Sequence, residues 1–302
     1  MSDAETFFTR ANALLDRLEP LLPPAPDKQH TDALAYRWYR SGPYGSGRLI
    51  PVNNVAPVAL DDLLCVDRPK QRLIQNTLQF LAGLPANNAL LWGPRGTGKS
   101  SLLKALLNDF SGAGLRLIEV PKETLGDLPL IVDALPSTER RYIIYCDDLS
   151  FESGDAGYKA LKVVLDGSLS RIPDNLLIYA TSNRRHLLPE YQQDNQTSQI
   201  IDGELHHGEA VEEKISLSER FGLWLAFHPF SQDNYLHIVS HWLKKLDCKP
   251  VMDETIREHA LRWALERGSR SGRVAAQFAR DWAGKQLLEK SQLDKNADKT
   301  HG

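Results

Sequence analysis

The chain has 302 residues, 42% of them hydrophobic and 25% charged, and carries a formal net charge of −3. That length allows one large domain or two smaller ones with a developed core, and the near balance of charge excludes a global pull toward nucleic acid or anionic membrane, leaving room only for a local basic groove. Cys65, Cys146 and Cys248 form neither a disulfide framework nor a zinc spacing, no apolar run approaches the ~20 residues of a membrane span, and MSDAETFFTR lacks a signal-peptide pattern, so a reduced, cytoplasmic protein is expected.

Residues 3 to 22 place Phe7, Phe8, Ala11, Leu14, Leu15, Leu18, Leu21 and Leu22 at helical spacing, which predicts an amphipathic helix that Pro23 and Pro24 stop. From Gln29 to about Val55 the text is irregular and aromatic, centred on YRWYRSGPYGSGRL, with a turn expected at Tyr44 and Gly45. Three uses are open for this arm: packing onto the main domain, contact with a nucleotide or a second subunit, or a platform on which bases stack beside arginines. Residues 1–55 therefore read as an N-terminal helical and irregular extension.

A helix is expected after Asp67, carrying Leu73, Thr77, Leu78 and Leu81 toward Gly83. Next come a strand at Asn87 to Trp92, a glycine-rich loop, a helix from Lys99 to about Phe110, and strands at Leu115 to Val120, Tyr142 to Cys146 and Leu176 to Thr181. Strands alternating with helices predict an α/β unit over residues 56–229, a parallel sheet with helices on both faces. After Pro229 three helix patterns follow, with Ser231 and Asp253 as N-caps and Gly268 closing the second. They predict a small all-helical domain over 230–290, then a polar, frayed tail at 291–302.

The loop Gly93-Pro94-Arg95-Gly96-Thr97-Gly98-Lys99-Ser100 fits G-x-x-x-x-G-K-[ST], with a strand before it and a helix after it. Glycines let successive amides face inward and approach phosphate oxygens that a Cβ would obstruct. The helix start, continuing through Ser101, adds free N–H groups and the positive end of its dipole. Lys99 supplies a point charge for the outer phosphates, and the Ser100 hydroxyl is a ligand for Mg²⁺. An ordinary turn needs one glycine or two, and no lysine and hydroxyl at fixed offsets. The loop is built for a nucleoside triphosphate with Mg²⁺.

Such a loop predicts a second element, an apolar strand ending in a carboxylate that holds the metal shell. RYIIYCDDLSFE supplies it, with Asp147 at the strand end. Asp148 stands where a group orients or deprotonates attacking water, and it is one methylene shorter than glutamate. Glu152 is a substitute if the loop folds back.

With both elements in place, the chain resembles the AAA+ ATPases over roughly residues 55 to 290, and most nearly a bacterial AAA+ family catalogued only as a domain of unknown function. The resemblance implies a P-loop NTPase sheet domain followed by a helical lid. It implies a polar residue sensing the γ-phosphate at Asn183 in LLIYATSNRR, with Thr181 as the other choice. It implies an arginine presented to a neighbouring subunit's nucleotide at Arg220 in SERFGLWLAF. It also implies a lid arginine at Arg273, or else Arg270, and an adenine flanked by Leu63 to Val66.

Two departures shape the functional expectation. PKETLGDLPL, where peptide-threading AAA+ machines carry an aromatic–hydrophobic–glycine loop, has Leu125-Gly126 and no aromatic, which disfavours an unfoldase. An insertion at about 186–217 holds seven acidic residues and one lysine. Its His206 and His207, beside Glu204 and Glu209, are either a metal site or part of a solvated acidic loop or hairpin, and its acidity argues against gripping a nucleic-acid backbone. The expected protein is an ATPase in nucleotide-dependent homo-oligomers that remodels or loads a protein partner. The alternatives are an ATP-gated scaffold with little turnover and a DNA-associated loader.

Overall fold

In the computed structural model the described residues are 33–300, apart from 41–44, 46, 136–138, 152–155, 167–172, 186–198, 202–203, 207–216 and 250–251, together with residues 7, 10, 12 and 13. Most of the expected helix at 3–22, the turn residue Tyr44 and Glu152 lie outside them.

A seven-stranded sheet organises the molecule, in the order β2-β1-β4-β5-β6-β3-β9. Its strands are β1 (Ala35–Arg40), β2 (Gly47–Pro51), β3 (Ala89–Trp92), β4 (Leu115–Glu119), β5 (Arg141–Cys146), β6 (Leu176–Ser182) and β9 (Leu223–Ala226). Every pairing is parallel except β1 with β2. Strand residues alternate between faces, so each strand feeds two cores. Leu91, Leu117, Ile143 and Leu177 join one cluster, while Leu90, Ile118, Ile144 and Ile178 join the other. The first core takes α1 (Asp67–Leu81) and α2 (Lys99–Phe110), and the second takes α3 (Leu128–Asp133) and α4 (Ala156–Asp166).

The extension at residues 29–55, read from sequence as irregular, contains the β1–β2 hairpin, which pairs through β1 with the edge of β4. Its Trp38 is buried and donates from Nε1 to Asp127 Oδ2 at 2.9 Å, and Arg40 pairs with Asp127 Oδ1 at 2.6 Å. YRWYR has no clean alternation of apolar and polar residues, because its arginines are absorbed by partners, Arg37 by Glu119 and Arg40 by Asp127. Among the uses left open for the arm, the hairpin realises packing onto the main domain. The strand β9 is a further addition, its short LWLA lying within a stretch read for its arginine.

Within the insertion, β7 (Gln199–Ile201) and β8 (Glu204–His206) pair antiparallel as a separate two-stranded ribbon. The side chains of Glu204, His206, His207 and Glu209 lie outside the described residues. The lid comprises α5 (Gln232–Lys245), α6 (Glu254–Glu266) and α7 (Gly272–Thr300). Ser231 and Asp253 cap α5 and α6, accepting from the amides of Asn234 at 3.1 Å and Ile256 at 2.8 Å. Gly268 ends α6 in the left-handed region, φ 59°. The tail expected to fray from 291 is instead the last part of α7. SQLDKNADKT contains neither proline nor glycine, so nothing in it stops the helix. Among the described residues no helix is long and apolar enough to cross a membrane.

Candidate functional site

The loop 93–98 leaves the C-terminal end of β3, between β6 and β9, and turns into α2. Ligand crevices in open parallel sheets form at such ends. Two glycines are required by the surroundings. A Cβ on Gly93, φ 140°, would stand 2.0 Å from the Phe227 carbonyl oxygen. A Cβ on Gly96, φ 77°, would meet Ser271 Oγ at 2.7 Å. The second contact is with the lid: the Gly272 amide at the start of α7 donates to Gly96 O at 2.9 Å.

Lys99 is buried beneath the loop, donating to Gly93 O at 2.6 Å, Pro94 O at 2.8 Å and Asn183 Oδ1 at 3.2 Å. Burial pulls its ammonium down to about 8, against the attraction of Asp148 and Asp147 and with the repulsion of Arg95 and Arg273. Ser100 Oγ donates to Asp147 Oδ1 at 2.7 Å, and Thr181 Oγ1 donates to the same oxygen at 2.6 Å. Burial alone would raise the Asp147 carboxyl, but Thr181, Ser100, the nearby Tyr145 hydroxyl and the charge of Lys104 hold it below its usual 3.8. Asp148 has φ 52°, a conformation that aspartate tolerates, and its amide donates to Thr181 Oγ1 at 2.9 Å. Its carboxylate is taken by Asn183 Nδ2 on one oxygen and by Arg95, at 3.1 Å, on the other.

A cavity of about 770 Å³ opens over these groups, lined by Arg95 through Ser101, by Asp147, Asp148, Thr181 and Asn183, and by Arg273 from α7. Apolar lining comes from Leu63, Leu64 and Val66 and, from the lid, Ile238 and Trp242. The volume is within the range of pockets that enclose small ligands. Of the candidate residues, Arg95 to Ser101, Asp147, Asp148, Thr181, Asn183 and Arg273 thus line one cavity, whereas Gly93, Pro94, Arg270 and Arg220 do not. Arg270 lies outside this cavity, which separates it from Arg273. Arg220 is also outside it, its Nε bonded to Asp166 Oδ1 at the end of α4. Thr181, the other choice for a phosphate sensor, lines the same cavity and ties the two aspartates of the β5 end together.

Sequence reasoning missed the base of the lid. Asp62 is buried at the cavity wall, and both its oxygens accept from Lys245 Nζ at 2.6 Å. His241 Nε2 lies 3.1 Å from Asp62 Oδ1. No local pattern could signal a pairing across 183 positions.

The residues fit ATP with Mg²⁺ on three observations. Gly93, Gly96 and Gly98 all hold positive φ, which opens the loop backbone, the buried ammonium has only loop carbonyls and an amide oxygen for partners, and the Tyr145 hydroxyl is buried beside Ser100 and Asp147. Burial, followed by the charge of Asp147, pushes that phenol well up, so it stays a donor.

A mostly parallel sheet whose strand next to the edge, β3, delivers a glycine-rich loop between β6 and β9, an acidic strand end nearby and a helical lid above define an AAA+ P-loop NTPase fold. The chain matches over residues 31–286 the family described as "Protein of unknown function (DUF815)", and it belongs to that family. Among solved structures it is similar to RuvB of Thermotoga maritima, a Holliday junction branch migration motor. The two are 16% identical over 78% of this chain and 67% of that one, with a TM-score of 0.53. It is also similar to the Orc1 protein of Aeropyrum pernix, solved in complex with DNA, at 15% identity, 77% and 65% coverage and a TM-score of 0.51. At such identities the likeness concerns the fold alone. A stretch of 57 residues is 39% identical to the replication factor C large subunit of Ignicoccus hospitalis, and the match spans 18% of this chain and 12% of that relative.

Proposed function

We propose that this chain binds ATP with Mg²⁺ between sheet domain and lid and hydrolyses it to drive a conformational change in a partner. One observation carries the reading: Lys99, the Ser100–Asp147 pair and Asn183 meet under a glycine cradle that touches the lid directly at Gly96. The loop amides and Lys99 hold the outer phosphates, while Ser100 and Asp147 hold Mg²⁺, which supplies neutralising charge. Asn183 reads the γ-phosphate position, and Arg273 places a cation there from the lid. Asp148 orients water once it is released from Arg95. Arg220 serves a neighbouring copy, because it faces Asp166 and not its own cavity. The assembly is a nucleotide-dependent homo-oligomer in the cytoplasm. The partner is a protein and not an unfolding substrate, since Leu125, in the segment that a threading machine would expose, is fully buried.

Phosphate release measured at saturating ATP should collapse in Lys99→Ala and Asp147→Asn. Wild-type release no faster than in those variants removes hydrolysis. A second reading, an ATP-gated scaffold with little turnover, is favoured by the lock on Asp148, whose two oxygens are both engaged. Tight ATP binding with turnover far below the ~1 s⁻¹ of slow enzymes would select it. The replication and branch-migration names among the similar proteins raise a DNA-associated loader, against which stand the net charge of −3 and the acidic insertion.

A further inference from the structure

Behind the phosphate loop lies a second cavity, of about 730 Å³, that the nucleotide reading leaves unused. It lies between the outer side of the loop and the C-terminal end of α6, and it shares Arg95 and Thr97 with the first cavity. Arg95, Arg262 and Arg270 line it, and no acidic residue does among the described residues. Arg262 and Arg270 are exposed and have no ion-pair partner among the described residues. Leu265 stands at its wall with 81% of its surface in solvent, an apolar group without cover. Three guanidiniums around an apolar patch suit a peptide that combines carboxylates with aliphatic side chains.

The chain itself contains such a peptide. Residues 202–213, DGELHHGEAVEE, carry five acidic residues, no basic lysine or arginine, and Leu205 and Val211. We propose that this segment of one copy docks into the arginine-lined cavity of the next, beside that copy's phosphate loop. The choice of a second copy rests on the reading of Arg220 as serving a neighbour. Glu213 is seven residues before Arg220, a reach of at most ~25 Å in extended chain. An Arg220 delivered to a neighbour's phosphate loop therefore brings the acidic segment within reach of the cavity on the other side of that same loop. The docked segment neutralises Arg262 and Arg270, covers Leu265 and draws on Arg95, which loosens the grip of Arg95 on Asp148. Assembly thereby unlocks the residue that orients water.

Two measurements on the full chain test this. A labelled peptide of residues 202–213 should bind the wild-type protein, with anisotropy that falls as salt is added, and at least tenfold more weakly to Arg262→Glu/Leu265→Glu. Equal binding to both proteins, no binding, or stronger binding of a labelled oligonucleotide to the same residues overturns the proposal. Sedimentation with Mg²⁺ and a non-hydrolysable ATP analogue should show that Arg262→Glu/Leu265→Glu and Glu209→Lys/Glu212→Lys/Glu213→Lys each fail to associate, and that mixing the two restores pairing. No recovery on mixing, with wild type associating normally, overturns docking in trans. The peptide measurement needs no nucleotide, so a chain that binds the peptide but not ATP overturns the ATPase reading alone.

Discussion

Lys99 shows how a single residue carries both a cost and a function. Its ammonium is held among carbonyls in a buried place, and burial depresses its pKa from 10.5 to about 8. A phosphate anion set beside it favours the charged form and raises that value. Above pH 8, ATP binding should therefore take up a proton, and affinity should decline as pH rises through that value. Calorimetry in buffers of different ionisation heat reads the uptake directly. Lys99→Arg, whose guanidinium stays charged throughout, should show none, and wild-type binding without proton uptake would refute the depressed ammonium. Asp148 illustrates the limit of reading single positions: its shorter side chain was visible in the sequence, but the clamp of Arg95 and Asn183 around it was not.

At the scale of elements, two polar attachments among the described residues fasten the lid, beside the apolar core it shares with the sheet domain. One is the amide of Gly272 on Gly96, and the other is Lys245 of α5 on Asp62. Burial pushes the Asp62 carboxyl up, but Lys245, His241 and the Ala59 amide more than offset this, leaving it below its usual 3.8. A carboxyl depressed in the folded state contributes stability that is complete above the unfolded value and is lost as pH falls through the folded one. The lid attachment should hold from neutral pH down to about pH 4 and weaken below it. Asp62→Asn should remove about 1–2 kcal/mol at pH 7, less than a fully buried pair because Lys245 is half exposed. Thermal melting of the variant at pH 7 checks this, and an unchanged melting temperature would show that the pair holds nothing. The β1–β2 hairpin is fastened in the same manner, by one buried carboxylate, Asp127, shared between Trp38 and Arg40.

For the whole molecule, the position of Arg220 sets the expectation. In its own chain it is bound to Asp166 and stands apart from the phosphate cavity. Arg220→Ala should lower phosphate release by roughly 10³-fold, the scale of a lost arginine finger, while leaving ATP binding to isolated chains intact. Mixing Arg220→Ala with Lys99→Ala should then recover activity, because intact Arg220 from one subunit meets an intact loop in the other. Absence of any recovery would remove the trans role. Light scattering with and without a non-hydrolysable analogue should report growth in mass only with nucleotide.

The amino-acid sequence alone determined the parts whose chemistry is local: the spacing of Gly93, Gly96, Gly98, Lys99 and Ser100, the apolar strand ending at Asp147, the alternation of strands and helices, and the capped helices of the lid. Such features depend on neighbours a few positions apart, so they can be read in order. Only the tertiary structure decided what depends on distant partners. It paired Asp62 with Lys245, folded an aromatic arm into the sheet through Trp38 and Asp127, and placed Arg273 over the phosphate cavity while turning Arg270 to the other side of the loop. It also continued the helix into the polar tail. Long-range ion pairs and cavity walls arise where separate elements pack, and residues without a fixed spacing leave no periodic trace of that packing in the chain.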